Sequence, residues 1–227
     1  MSNNVFNSLI TKITFLPTIV SKLICSINPV AYHNYEKFIA IYKVHYLTLF
    51  DGVEGDYLEF GVYTGSSFCH SIRCYKKSRD LSGKVNSETR FIGFDSFEGF
   101  GDLKEGDEHS FYTDENFSTN FMDVDKRVKR ISKGVEYKLV QGFFEDSLKN
   151  GPDSYNITKS KIIFIDSDTY SSASEALLFC SKTIQEGTFI ILDDYYSYKG
   201  SRNKGVARAF FELIEQNQLD VRKTFKI

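Results

Sequence analysis

Apolar and polar positions along the chain change period several times, and each change marks an expected element. From residue 57 onward, short apolar runs alternate with stretches of helical spacing. Residues 57–63 form the first run, just after Gly55, and 66–78 read as a helix. A second strand is expected at 90–97, followed by a polar, Gly-rich stretch over 99–120. Next comes a helix over 122–132 whose Lys126, Arg127, Lys129 and Arg130 make one basic face. Strands are expected at 137–144 and 161–166, the latter in the near-continuous apolar form of a strand covered on both faces. A helix over 171–185 stops near Gly187, a strand follows at 188–193, a helix at 203–216, and 219–225 is a candidate last strand. Strands alternating with helices predict an α/β fold with a Rossmann-like, doubly wound, mainly parallel sheet.

The first 50 residues break this rhythm and read as a helical N-terminal extension, with the main domain over 51–227. Phe6, Leu9, Ile10, Ile13, Leu16, Val20, Leu23 and Ile24 recur at helical spacing. Lys12, Pro17 and Lys22 interrupt the run, which is too short and broken for a membrane span and has no small-residue cleavage site. A helix packed on the domain, a lid over a site or a contact in a homo-oligomer all fit it; attachment to a membrane surface fits less well.

Composition adds little beyond an ordinary soluble protein. Twenty-eight basic against 30 acidic residues give a formal net charge of −2, which does not point to nucleic acid. The four cysteines, Cys25, Cys69, Cys74 and Cys180, form neither a C-x-x-C pair nor a zinc pattern, and free thiols suit a reducing, cytoplasmic setting.

In a parallel sheet, ligands bind beyond the carboxyl ends of the strands. Here every expected strand ends in acids, glycines or aromatics. The first ends in Glu59-Phe60-Gly61-Val62-Tyr63-Thr64-Gly65-Ser66-Ser67, where glycines let a ligand approach the backbone and an acid awaits an ammonium or sulfonium. That spacing differs from the dinucleotide fingerprint G-x-G-x-x-G. The second ends in Asp95, placed to accept the two hydroxyls of a ribose. Asp166 and the pair Asp193-Asp194 end neighbouring strands. Their carboxylates can converge, and a set of hard oxygen ligands suits Mg²⁺ or a similar divalent ion. A capped turn at Asp95 and solvated loop acids at the other three are the plainer alternatives.

Together, residues 57–67, Gly93-Phe94-Asp95-Ser96-Phe97-Glu98-Gly99, Ile165-Asp166-Ser167-Asp168-Thr169-Tyr170 and Asp193-Asp194-Tyr195 resemble the macrocin/mycinamicin sugar O-methyltransferase (TylF/MycF) family. The resemblance covers roughly 55–212, with no full counterpart to the family's final antiparallel strands. It implies a class I methyltransferase dependent on S-adenosylmethionine and Mg²⁺ that acts on sugar hydroxyls. By motif, Glu59, Gly61, Tyr63, Gly65 and Ser67 would surround the methionine part of the cofactor. Asp95, Ser96 and Phe97 would hold ribose and adenine, and Gly142 and Phe143 would flank adenine. Asp166, Asp193 and Asp194 would hold the metal.

The implied reaction needs a base for the acceptor hydroxyl. Asp166 is one candidate; among His33, His45, His70 and His109, the last stands out because it lies in the polar stretch beside the cofactor turn. Tyr195 and Tyr196 are candidates for the acceptor pocket, and 99–120 for a closing lid. Two rivals remain: a glycosyltransferase using Asp166-x-Asp168 on a metal and nucleotide sugar, and a non-catalytic protein that keeps the fold.

Overall fold

The computed structural model describes residues 15–82, 88–109 and 117–224. The chain divides into two units, one ending at Lys37 and one running from Phe38. The first holds helix α1 (Phe15–Ser26) and the opening of α2 (Pro29–Phe50). On α1, Val20, Leu23 and Ile24 are exposed; the earlier part of the amphipathic run lies outside the described residues. No helix among the described residues is long and apolar enough to cross a membrane.

The second unit is a five-stranded, all-parallel sheet of order β3-β2-β1-β4-β5. Its elements are β1 (Asp56–Phe60), α3 (Ser66–Ser82), β2 (Phe91–Asp95), α4 (Phe121–Ile131), β3 (Tyr137–Gln141), the single turn α5 (Phe144–Ser147), β4 (Ser160–Ile165), α6 (Tyr170–Ser181), β5 (Phe189–Leu192) and α7 (Gly205–Asn217). The predicted doubly wound fold is the observed one. β1 and β4 are buried along their whole length, as central strands covered on both faces must be.

The period-2 alternation of each strand divides the core. Leu58, Phe60, Ile92, Phe94, Ile163 and Ile165 face α6 and α7, meeting Ala173, Ala176, Leu177, Ala209 and Leu213. Phe60 and Phe94 stack at 5.0 Å across β1 and β2. On the other face Tyr57 and Phe91 pack against Phe68 of α3 and His45 of α2. Ile41 and Val44 of α2 are buried too, so α2 from Phe38 onward belongs to the sheet unit. α4 begins where Asn120 accepts from the N–H of Asp123, buries Val124 and Val128, and leaves its basic residues outside.

Several expected boundaries move. The strands expected over 90–97 and 137–144 end at Asp95 and Gln141, and three further shifts have local reasons. β1 stops at Phe60 because Gly61 turns to φ +96°. α6 ends at Ser181, and Thr183 turns back to hydrogen-bond Ser160 at 2.8 Å. The expected strand over 219–225 is absent over 219–224; residue 225 lies outside the described residues. Gln218 closes α7 in a left-handed conformation, the N–H of Leu219 bonds Ile214, and Leu219 packs on the core instead of pairing with β5.

One core position runs against composition. Lys161, at the start of β4, is 1% exposed, with its Nζ 5.2 Å from the centre of the Tyr75 ring. Burial lowers its pKa to about 8, while Asp56 and Glu54 act in the opposite direction. A lysine whose folded pKa lies below its unfolded value costs stability while protonated. The cost is full below about pH 8 and is relieved as pH rises toward 10.5. Lys161→Met should therefore raise stability at pH 7 by about 3 kcal/mol, from 1.36 kcal/mol per pKa unit. The gap between variant and wild type should close between pH 8 and 10.5. Urea unfolding of both across that range checks it; a constant gap would show that packing alone changed.

Candidate active site

Hydrogen bonds carry the parallel ladder one step past the strands. The N–H of Gly61 bonds Phe94 O at 2.9 Å, Gly142 bonds Asp95 O at 2.9 Å, Asp166 bonds Phe60 O at 2.8 Å and Asp193 bonds Ile165 O at 3.0 Å. The strand ends are level, so the residues after them emerge along one edge. Between β1 and β4 the chain order reverses direction, which opens a crevice there. A cavity at this edge is lined by Gly61, Tyr63, Asp95, Ser96, Phe143 and Asp166 from the predicted set. Gly99, Phe100, Phe117, Phe144, Ser167, Asp168 and Ser172 also line it, beyond those predicted.

Asp95 organises the near side. Its Oδ2 accepts from the N–H of Tyr63 at 2.7 Å and its Oδ1 from that of Phe97 at 2.6 Å. It thereby joins the turns after β1 and β2. Burial raises its pKa, opposed by the N–H groups of Tyr63, Phe97 and Val62. Ser96 Oγ donates to Gly99 O at 2.7 Å and shapes the same turn.

Other predicted cofactor residues stand behind the wall rather than on it. Glu59 is fully buried, accepting from Tyr57 OH and, at 2.6 Å, from Ser67 Oγ. Phe97 is buried at φ 60° with its ring against Phe121. At Gly65 an added Cβ would come within 3.0 Å of Val124, so this position brings α4 close to the cofactor turn. Gly142 sits at φ +142° beside Phe143, whose ring packs on Gly101 across the cavity.

On the far side, Asp166, Asp193 and Asp194 bring one carboxylate oxygen each within 4.8 Å of one another. Asp168 is a fourth member. It sits in a left-handed turn at φ 60°. Burial and the carboxylates of Asp194, Asp166 and Asp193 raise its pKa well above the usual carboxylate range, and it shares a hydrogen bond with Asp194. Four acids gathered this tightly need a proton or a cation among them. The donors are all oxygen, the set that a hard divalent ion prefers.

The polar stretch after β2 is tied to this cluster. Asp107 Oδ1 accepts from the N–H groups of Tyr170 and Ser171 at 2.9 and 3.3 Å, and Tyr198 OH donates to Asp107 O at 2.9 Å. Lys104 pairs with Glu145 and, at 3.2 Å, with Glu175. The stretch up to His109 is thus anchored; residues 110–116 lie outside the described residues. The His109 ring meets the Tyr198 ring edge-on at 5.3 Å. Burial, then Asp107, Asp168 and Asp194, push the Tyr198 hydroxyl up to about 12, which places this tyrosine beside the acids.

The other histidines are placed elsewhere. His45 is buried with Nε2 2.5 Å from Ser71 Oγ and is held neutral by burial. His70 Nε2 contacts Phe38 O at 3.0 Å. His33 belongs to the first unit. Tyr195 packs among Tyr196, Phe210 and Phe211 at the foot of the loop after β5.

A parallel sheet of this order, with an acid and a glycine turn at the end of β1 and an acid at the end of β2, has the fold of the class I methyltransferases. Two solved members of that class superpose on it. The O-methyltransferase NovP gives a TM-score of 0.64 at 20% identity, over 80% of this chain and 72% of that one. The calicheamicin methyltransferase CalS11 gives 0.63 at 18%, over 97% and 86%. Residues 41–218 match the macrocin-O-methyltransferase (TylF) family, and the chain belongs to that family. Mycinamicin III 3''-O-methyltransferase of Micromonospora griseorubida is 26% identical over 154 residues, 64% of this chain and 57% of that protein. A tetracenomycin-type rhamnosyl 4'-O-methyltransferase of Streptomyces olivaceus is 25% identical over 155 residues, 65% and 55%. The chain therefore spans little more than half the length of these curated relatives.

Proposed function

We propose that this protein transfers a methyl group from S-adenosylmethionine to a hydroxyl of a sugar, or of a glycosylated or polysaccharide precursor, in the cytoplasm and with a divalent cation such as Mg²⁺. One observation carries the reading: one cavity is lined by Gly61, Asp95 and Phe143 together with Asp166 and Asp168. The acids end different strands but meet at one edge, where an adenosyl group and a cation would lie side by side. Membership of the macrocin-O-methyltransferase family supports it, as do relatives whose names specify methylation of sugars. The four cysteines are unpaired, in keeping with a reducing compartment.

S-adenosylmethionine would supply the methyl group on a sulfonium, and the cation would supply Lewis acidity toward the acceptor oxygen. The chain's own residues do the rest. Asp95 accepts the ribose hydroxyls on lone pairs not used by Tyr63 and Phe97. Phe143 and Phe100 offer flat apolar surface to adenine. Gly61 keeps the backbone low beneath the methionine part, and Glu59 holds that turn from behind through Ser67. Asp166, Asp193 and Asp194 would hold the cation, with Asp168 adjoining. Fixing acceptor and donor in line contributes about 7–11 kcal/mol in well-oriented reactions. Asp166 takes the acceptor proton, and His109, on the Tyr198 side, is the second candidate for it.

Calorimetry tests the cofactor. S-adenosylhomocysteine should bind and UDP-glucose should not; the reverse would favour a glycosyltransferase built on Asp166-x-Asp168. Asp95→Ala should weaken S-adenosylhomocysteine by about 10- to 100-fold, the range for losing a charged hydrogen bond of about 1.5–3 kcal/mol. Affinity within twofold of wild type would remove Asp95 from the cofactor site. Turnover is read with S-adenosylmethionine, Mg²⁺ and glycoside probes, mycinamicin III first.

A further inference from the structure

The carboxylate cluster stands on two loops. Asp166 and Asp168 sit between β4 and α6, and Asp193 and Asp194 follow β5. Each loop is fixed at its strand end, through Asp166 N to Phe60 O and Asp193 N to Ile165 O. Beyond that point each is held by something else. In the first loop the left-handed Asp168 leads into Thr169, which caps α6 by accepting from Ser172 N–H. In the second, Ser197 Oγ donates to Asp194 Oδ1 at 2.9 Å, and Tyr198 follows in a left-handed conformation at φ 55°. Neither the cap nor the serine bond crosses from one loop to the other; the hydrogen bond that Asp168 shares with Asp194 does, but it lies within the carboxylate cluster itself and cannot brace it from outside.

Asp107 does cross. It comes from the stretch after β2, is 2% exposed, and bonds both loops. Its side chain accepts from Tyr170 and Ser171 N–H at the amino end of α6, and its carbonyl accepts from Tyr198 OH in the loop after β5. We propose that Asp107 is a positioning residue: by tying the two loops together it sets the separation of the carboxylates and so their affinity for a divalent cation. The proposal rests on the metal-binding reading of Asp166, Asp193 and Asp194. It differs from that reading in assigning no ligand role to Asp107, which acts through hydrogen bonds at one remove. Such partners behind a metal site change affinity by about 10- to 100-fold.

Its chemistry also says which variant should be harmless. Only Oδ1 is used; Oδ2 is buried with no hydrogen-bond partner among the described residues. Asparagine offers the same Oδ1 acceptor, so the tie survives Asp107→Asn and is lost in Asp107→Ala. Tyr198→Phe removes only the second bond.

The experiment is calorimetric titration of the whole chain with MnCl₂, and separately with S-adenosylhomocysteine. Asp107→Ala should bind Mn²⁺ about tenfold more weakly or worse, by the scale above. Asp107→Asn should stay near wild type, Tyr198→Phe should fall between, and S-adenosylhomocysteine affinity should be unchanged in all three. Where Asp107→Ala does not fold, Tyr198→Phe carries the test, and weaker Mn²⁺ binding by it is the supporting result. Mn²⁺ affinity equal to wild type in both Asp107→Ala and Tyr198→Phe would overturn the proposal while leaving the metal site standing. So would Asp107→Asn falling to the level of Asp107→Ala, since charge and not the tie would then matter. Equal losses of Mn²⁺ and S-adenosylhomocysteine binding would overturn it too, as a general loosening of the fold. A wild type that binds S-adenosylhomocysteine but no Mn²⁺ would instead remove the metal reading, and this proposal with it.

Discussion

Asp193→Ala should lower methyl transfer by about 10³-fold while S-adenosylhomocysteine binding stays near that of wild type. A bound cation contributes several kcal/mol by polarising the reacting oxygen, and each 1.36 kcal/mol of barrier is tenfold in rate, so losing about 4 kcal/mol gives this figure. The proposed cofactor contacts at Asp95 and Phe143 should be little disturbed, because both follow strands other than β5. The metal-free protein should move the opposite way. Asp166, Asp193 and Asp194 crowd their oxygens within 4.8 Å, and Asp168 is pushed toward its neutral form by the same neighbours. Deleting one charge relieves repulsion, so Asp193→Ala should melt higher than wild type in EDTA and lose the rise in melting temperature expected of wild type with Mg²⁺. Turnover with mycinamicin III and thermal melts with and without Mg²⁺ read both effects. Unchanged turnover would strip Asp193 of its proposed role, and a lower melt in EDTA would mean that the carboxylate is a structural partner.

The fold was legible because its signals are local and repeated. β4 reads as Lys-Ile-Ile-Phe-Ile between polar neighbours, the form expected of a strand covered on both faces and too short for a typical helix. The strand-end residues were legible for a related reason. In a parallel sheet with level strand ends, whatever follows each strand must lie along one edge, so Asp95, Asp166 and Asp193 could be brought together from sequence position alone. What escaped depends on backbone turns and long-range contacts. Asp168 stands in the family motif without an assigned role and has one only in the Asp-x-Asp rival, because its place in the cluster follows from a left-handed turn that non-glycine residues seldom adopt. Asp107 and Tyr198 gave no signal, since they are 91 residues apart and meet only across three loops. Glu59 was expected to face the ligand. It is fully buried, accepting from Tyr57 OH, two residues before it on the same strand, and from Ser67 Oγ, and no period in the sequence records those bonds. The strand expected over 219–225 shows the converse error. Alternation alone suggested it, and the helix cap at Gln218 removed it.

Gly61→Ala is the substitution with the largest expected effect on stability, because this one residue joins the turn after β1 to the loop after β4. Its φ is +96°, outside what an L side chain adopts without strain. An added Cβ would lie 1.8 Å from the carbonyl oxygen of Asp166 and 2.7 Å from its carbonyl carbon. Neither can move aside. Asp166 N is bonded to Phe60 O, and Gly61 N is bonded to Phe94 O, so relief requires parting β1 from β4 at the crevice. Costs above about 4 kcal/mol arise from this kind of backbone conflict, and for a domain of this size each kcal/mol lowers Tm by about 2–4 °C. A fall of about 10 °C or more is expected, or failure to accumulate as folded protein. Gly65→Ala is the control. It too has positive φ, at +74°, but its Cβ would meet side-chain methyls, Val124 at 3.0 Å and Val128 at 3.7 Å, to which α4 can yield by a small shift. It should melt several degrees above Gly61→Ala. What survives of folded Gly61→Ala should lose affinity for S-adenosylhomocysteine and for Mn²⁺ together, because the clash displaces Asp166 along with the turn. A Gly61→Ala variant melting within about 3 °C of wild type, about one kcal/mol on the same scale, would show that β1 and β4 are not locked at their ends as described here.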